Sequence, residues 1–272
     1  MKNKIRYGTT EFKNPDLYKL NKKGFFMADM HFHSNLGEGF LVARQILNVI
    51  KNKKMAAAIT DHNSIRGAVK LYSQSPEKII PGTEIISKEG VHCLFYFYNM
   101  KELQNFYSKH VENEIDSNYN FYLKTKILDI IDASKNYSCV VCLPHPFSYF
   151  SPKFHEMLKE IVKNKKVNAI ETINGFLPHM FNRSAADFSL KVKTGITGGT
   201  DGRTLQEIGN VVTCAKADTK EEFLDSIRKR KTIVLGTEMN TIGKLRNIIY
   251  RPEMHPKNWP ASLKRRIKII IS

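Results

Sequence analysis

Residues 24–34 read Gly-Phe-Phe-Met-Ala-Asp-Met-His-Phe-His-Ser. The apolar run at its start reads as a buried strand. Side chains on a strand alternate faces, so His31 and His33 point the same way, roughly 7 Å apart along the backbone. Two same-facing imidazoles at a strand end can ligate a metal. A lone pair of this kind also arises without function, so the rest of the chain has to decide.

Outward from this stretch, strands and helices alternate. LVARQILNVIKNK (41–53) carries apolar residues at helical spacing, and MAAAIT (55–60) is a strand. NSIRGAVKLYSQ (63–74) predicts a helix with Asn63 or Ser64 as N-cap. KIIPGTEII (78–86) and GVHCLFYFY (90–98) read as strands paired through the turn SKEG. Helices are expected near 101–115 and 119–135, then the strand SCVVCLP, a helix near 153–164 and the strand VNAIETI. A helix near 181–193, the strand GITGGT, the amphipathic helix TKEEFLDSIRKRK (219–231) and TIVLG close the series. Such alternation predicts an α/β protein with a mainly parallel sheet, and seven or so units can close into a barrel. Active sites in such barrels lie at the C-terminal ends of the strands.

Those ends carry ligand-type side chains almost throughout. They hold His31 and His33, Asp61 and His62 in ITDHN, Glu84 in PGTEI, His92 in GVHCLF, His145 in LPHPF, Glu171 in IETING and Asp201 in GGTDGR. Imidazoles and carboxylates together suit Zn²⁺, Mn²⁺ or Fe²⁺. Two such ions joined by a carboxylate acidify a water and clamp both oxygens of an in-line displacement. The loop GEGF lacks the Lys-Ser/Thr of a phosphate-binding P-loop.

In order and spacing, DMHFHS, ITDHN, PGTEI, GVHCLFYF, LPHPF and GGTDGR resemble the PHP (polymerase and histidinol phosphatase) family over roughly residues 24–236. The resemblance implies a distorted (β/α)₇ barrel with a metal site at the C-terminal ends of its strands. It implies two divalent ions, or three, and phosphoester hydrolysis by a metal-bound hydroxide. By position, His31 and His33 would hold a first metal completed by Asp201. Glu84 would bridge two metals, and His92 and His145 would bind the second. His62 would serve a third together with Glu38, where relatives often carry Asp. Asp29 and Asp61 would orient imidazoles, as ligating histidines require. Glu171 is either a substrate-facing or supporting group or a structural acid in the barrel mouth.

One residue departs from the family pattern. Arg203 stands where a histidine ligand is expected, and a guanidinium cannot bind a cation. It either meets a substrate phosphate, which would make it catalytic, or pairs with a carboxylate such as Asp201. Arg66 and Arg183 are further candidates for phosphate contact.

Composition sets the frame. The chain has 272 residues, 42% of them hydrophobic, enough for one domain with a sizeable core. No apolar run approaches a membrane span and the first residues lack a signal-peptide core, so a soluble cytoplasmic protein is expected. Cys139 and Cys142 form a C-x-x-C without a second pair, which reads as buried free thiols. The net charge is +17, and seven Lys/Arg against two acids fall in residues 1–23 and eight against two in 237–272. The domain is therefore placed at 24–236, between a basic N-terminal segment (1–23) and a basic C-terminal tail (237–272). The expected partner is an anionic phosphate ester or a short nucleic acid. The alternative is a metal-binding or nucleic-acid-associated domain with impaired catalysis. Oligomeric state is not legible.

Overall fold

In a computed structural model the described residues are 7–34, 43–116, 122–148, 152–164 and 166–249. They begin with β1 (Thr9–Phe12), α1 (Leu17–Lys22), β2 (Phe26–Phe32), α2 (Ala43–Asn52), β3 (Ala56–Ile59) and α3 (Arg66–Tyr72). β4 (Ile79–Ile86), β5 (His92–Phe97), α4 (Met100–His110), α5 (Ile127–Ser134), β6 (Cys139–Leu143) and α6 (Pro152–Lys163) follow. The series ends with β7 (Ala169–Asn174), α7 (His179–Val192), β8 (Gly195–Gly199), β9 (Val211–Ala215), α8 (Lys220–Arg228), β10 (Ile233–Gly236) and α9 (Thr241–Ile249).

One ten-stranded sheet runs in the order β1-β10-β9-β2-β3-β4-β5-β6-β7-β8. Within it β2, β3 and β4 are parallel, β5 is antiparallel to both β4 and β6, and β6, β7 and β8 are parallel again. The seven strands β2–β8 curl round until the last meets the first. Phe32 bridges Gly202, the Asp201 N–H donates to the His31 carbonyl at 2.7 Å, and the His33 N–H donates to the Gly202 carbonyl at 3.0 Å. Gly199 makes this approach possible, since a Cβ there would lie 2.2 Å from the His31 nitrogen. β9, β10 and β1 extend the sheet beyond β2.

Two apolar layers follow from alternation along the strands. One set, including Ala28, Met30, Ala58, Ile80, Leu94, Tyr96, Val140 and Ala169, packs together inside the barrel. Phe223, Leu224 and Ile227 of α8 join it, so α8 plugs the end where the parallel strands begin. The other set, including Ala57, Ile59, Ile79, Phe95 and Val141, packs outward under the helices. The pairing of β2 with β3 shifts register between Asp29 and Phe32. That irregularity re-aims the strand: Ala28 and Met30 belong to the interior layer, and His31 and His33 then turn to the open mouth.

The structure shortens or moves several expected elements. The helix expected at 119–135 is α5 alone, and the N-cap of α3 is Ile65 rather than Asn63 or Ser64. Asn63 has φ +45° and pairs instead with the Ile86 main chain, accepting at 2.9 Å and donating at 3.3 Å. β1, α1, β9 and α9 are additions to the expected series. The N-terminal segment is thus partly in the sheet, through β1 against β10. Among the described residues no helix is long and apolar enough to cross a membrane. All four cysteines are buried and free.

Candidate metal centre

Glu84 sits at the centre of the mouth, near the end of β4, with 1% of its surface exposed. Its Oε2 lies 3.1 Å from His31 Nε2, 3.3 Å from His33 Nε2 and 2.9 Å from His62 Nε2. Its Oε1 lies 2.6 Å from His92 Nδ1 and 3.3 Å from His145 Nε2. One carboxylate therefore faces five imidazoles, three on one oxygen and two on the other. His33 Nε2 also stands 3.3 Å from Asp201 Oδ1.

Three overlapping donor sets result: His31, His33 and Asp201; His33, His62 and Glu84; Glu84, His92 and His145. Within each, one ligand atom from every residue lies within 4.8 Å of the others. Two donors about 2.1 Å from a shared ion stand roughly 3.0–3.4 Å apart, which matches most of these separations. The buried His33 Nε2 makes no well-formed hydrogen bond to either oxygen beside it. A lone pair left so in a buried site fits a cation, and the donor chemistry fits a divalent one.

Charge accumulates here at a cost. Burial works against the Glu84 carboxylate, yet His31, His62 and His92 hold it well below the usual range. Burial also works against a charged His31, but Glu171, Glu84 and Asp201 hold that imidazole well above its ordinary pKa. Burial, then Arg203 and His62, push His33 down. Burial outweighs Glu84 at His92, which falls to about 4.

The supporting carboxylates do not all act as expected. Glu171 does reach an imidazole: its Oε1 lies 2.9 Å from His31 Nδ1, which leaves His31 Nε2 for the centre. Its Oε2 accepts from the His145 N–H at 2.9 Å and from Asn174 Nδ2 at 3.0 Å. His145 Nδ1 is set by the Ser148 hydroxyl at 3.1 Å. Asp29 and Asp61, expected to orient imidazoles, hold the chain next to these histidines instead. Asp29 accepts from the Thr200, Gly209 and His31 N–H groups and from the Thr200 hydroxyl. Asp61 accepts from the Ser34 N–H at 2.7 Å and its hydroxyl at 2.6 Å. Asp29 is fully buried, and burial outweighs these bonds to raise its pKa to about 6.

Arg203 is buried, with 2% of its surface exposed, close enough to His33 to disfavour a second positive charge there. Glu207, which the sequence did not single out, fixes its main chain by accepting from the Arg203 N–H at 2.6 Å and the Thr204 N–H at 3.0 Å. An acid four residues after the last motif was the only signal. Arg66 opens α3 and Arg183 begins the second turn of α7; both are exposed, toward the same end of the barrel. Glu38 lies outside the described residues. His179 opens α7, half exposed, against Glu238 at 3.3 Å and the ring of Phe12, away from the centre.

Comparison with known proteins agrees with this architecture. Residues 179–232 match the family described as PHP-associated. A two-domain protein from Bacteroides vulgatus, described as containing a predicted PHP-like metal-dependent phosphoesterase, is similar in structure. Its TM-score is 0.56 at 16% identity, over 90% of this chain and 74% of that one. The lesion-specific endonuclease PfuEndoQ from Pyrococcus furiosus gives 0.60 at 16%, over 77% of this chain and 57% of that one. Endonuclease Q in complex with a 27-mer duplex bearing an abasic lesion at its active site gives 0.58 at 17%, over 75% and 57%. At these identities the likeness is one of fold. No curated protein matches the sequence.

Proposed function

We propose that this chain, a PHP-family protein, is a metal-dependent hydrolase that cleaves a phosphoester, with a nucleotide or short nucleic acid as the favoured substrate class. The observation that carries the reading is Glu84, whose two oxygens each face a separate group of histidines. One group, His31, His33 and Asp201, would hold one divalent ion; His92 and His145 would hold a second, with Glu84 between them. His62 stands beside the first group on the same Glu84 oxygen. Ions so held acidify a water and draw charge off phosphate oxygens.

The chain's own residues do the rest. Glu171 takes the His31 Nδ1 proton, so that a neutral His31 ring offers its Nε2 lone pair to the centre. Asp29 and Asp61 lock the strand ends on which the ligands stand, so the constellation is rigid before substrate arrives. Arg203 supplies a fixed positive charge beside His33, and Arg66 and Arg183 toward the same end meet the anionic groups of the substrate. Buried thiols suit a reducing compartment such as the cytoplasm.

The test is metal content of protein purified without chelator, followed by phosphate release from nucleotides, a simple aryl phosphate and short oligonucleotides with added Mn²⁺. Turnover that disappears in His33→Ala supports the reading. Full metal loading with no turnover on any phosphoester favours the alternative, a metal-binding domain with impaired catalysis.

A further inference from the structure

The positive charge of this protein is polarised along the barrel axis. At the end plugged by α8 lie the turns entering the strands, residues 7–8, 22–24, 51–54, 73–78, 132–138, 163–168 and 191–194, with 98–102 after β5 and 216–231 around α8. Leaving aside residue 165, which is not described, these stretches hold eighteen Lys and Arg against seven Asp and Glu, a net +11. The described loops at the metal end are 13–16, 60–66, 87–91, 112–116, 122–126, 144–148, 175–178, 200–209 and 237–240. They hold six Lys and Arg against nine acids. A lysine-rich composition would spread its charge over both ends.

Helix ends favour one cation each through the macrodipole. That explains Lys22 or Lys191, but not three lysines within 51–54 or the run Arg228-Lys229-Arg230-Lys231, all four exposed. Some of the charge is tied: Lys135 and Lys166 share Asp132, and Lys229 meets Asp225 at 3.1 Å. The larger part faces solvent. A cleft of about 210 Å³ opens on this end among Gly24, Lys54, Lys78 and Asp218.

We propose that the plugged end of the barrel is a docking surface for the phosphodiester backbone of nucleic acid, remote from the metal centre and independent of base sequence. Lysine ammoniums spread over a wide face neutralise phosphates one by one, which gives binding without a sequence code. Lipid headgroups share the phosphate chemistry. A membrane-surface element, however, also buries a cluster of apolar side chains, and among the described residues only two exposed large apolar residues lie at this end, Tyr7 before β1 and Leu190 in the last turn of α7, each set among lysines. The docked chain would hold the protein on nucleic acid while leaving its metal end open.

The experiment is fluorescence anisotropy of a labelled DNA duplex against the full chain over a salt series. It compares wild type with two variants of matched fold by circular dichroism. One carries Lys23→Gln, Lys51→Gln, Lys229→Gln and Lys231→Gln at the plugged end. The other carries Lys88→Gln, Lys124→Gln and Lys126→Gln at the metal end. The expected result is salt-sensitive binding by wild type and a plugged-end variant weakened more than about tenfold, its log–log salt slope smaller by roughly 3–4 units, at about 0.9 per lost phosphate contact. The metal-end variant should match wild type. The proposal is overturned if wild type does not bind the duplex, or if the metal-end variant loses as much as the other. It is also overturned if phosphatidylserine vesicles capture the protein through the same lysines while the duplex does not.

Discussion

Glu171→Gln changes one oxygen to an amide at constant shape, and the geometry says what should follow. Three donors converge on this carboxylate: His31 Nδ1 at 2.9 Å, the His145 N–H at 2.9 Å and Asn174 Nδ2 at 3.0 Å. Glutamine keeps one acceptor. If its oxygen stays on His145 and Asn174, its NH₂ faces His31 Nδ1 and forces that nitrogen to accept. The imidazole proton then moves to Nε2, the atom aimed at Glu84, and His31 is lost as a ligand. If the amide turns over, its NH₂ meets two other donors and the His145 loop is pushed outward. Supporting carboxylates of this kind are worth about 10–100-fold in metal affinity, about 1.4–2.7 kcal/mol. The assay is competition against a chromogenic chelator. We expect one ion per chain to weaken by that factor and a second, on Glu84, His92 and His145, to shift less. Unchanged affinity at both sites in a folded Glu171→Gln protein would refute the argument that this acid sets the His31 tautomer.

Other substitutions test the remaining parts. Glu84→Gln should strip metal from both groups of histidines and abolish turnover, read by elemental analysis. Arg203→His removes a guanidinium near His33 and adds a ligand; bound metal should rise from about two per chain toward three. An unchanged count would show that arginine does not limit occupancy. Gly199→Ala places a methyl 2.2 Å from the His31 nitrogen and 2.4 Å from its Cβ, where β8 closes on β2. Backbone there cannot yield cheaply, so a loss of at least about 3 kcal/mol in denaturant unfolding is expected. Burial pushes the Cys139 thiol up to about 11, and Cys93, Cys142 and Cys214 upward as well. Thiolate is then scarce at pH 8, so an aromatic disulfide reagent should find no fast-reacting thiol until the protein is unfolded.

How far the sequence could be read follows from which forces act locally. Parallel strands buried on both faces write themselves as apolar runs, so β2 to β8 and their order along the chain were legible. So was the convergence of most of the donor side chains, because barrel topology puts every parallel strand end in one mouth; His92 reaches the same place from the start of the antiparallel β5 instead. β1 and β9 were not: TTEF is only half-buried, and VVTCA is a short apolar run between the strand GITGGT and the helix from 219, where strand–helix alternation calls for no further strand. What makes them strands is pairing to β10 and β2, which is non-local. The amphipathic pattern of α8 was plain, but its burial against the barrel floor rather than the outer layer was not, since a helix's apolar face does not name its partner. Asn63 looked like a cap because cap preference is a local rule; two hydrogen bonds to Ile86 outweighed it.

The same limit governs the acids, and it explains how the centre is built. Five buried carboxylates lie in or beside the mouth: Asp29, Glu84, Glu171, Asp201 and Glu207. By residue type they are interchangeable. Their places in the mouth separate them, because a buried carboxylate must be satisfied by donors or by a cation. Asp29 and Glu207 take main-chain N–H groups, and Glu171 takes one N–H, one amide and one imidazole. Those three fix the loop after β8 and the His31 ring in place. Glu84 stands instead among imidazole nitrogens, and Asp201 has one beside it in His33. Three imidazole nitrogens crowd Oε2, which has two lone pairs, and a neutral His145 turns its one proton to Ser148, so its Nε2 and Glu84 Oε1 face each other as acceptors with something needed between them. The acids that hold the frame are thus satisfied by hydrogen bonds, Asp201 takes Asn174 Nδ2 at 3.4 Å on the oxygen turned from His33, and Glu84 is left with a demand that a divalent cation would meet.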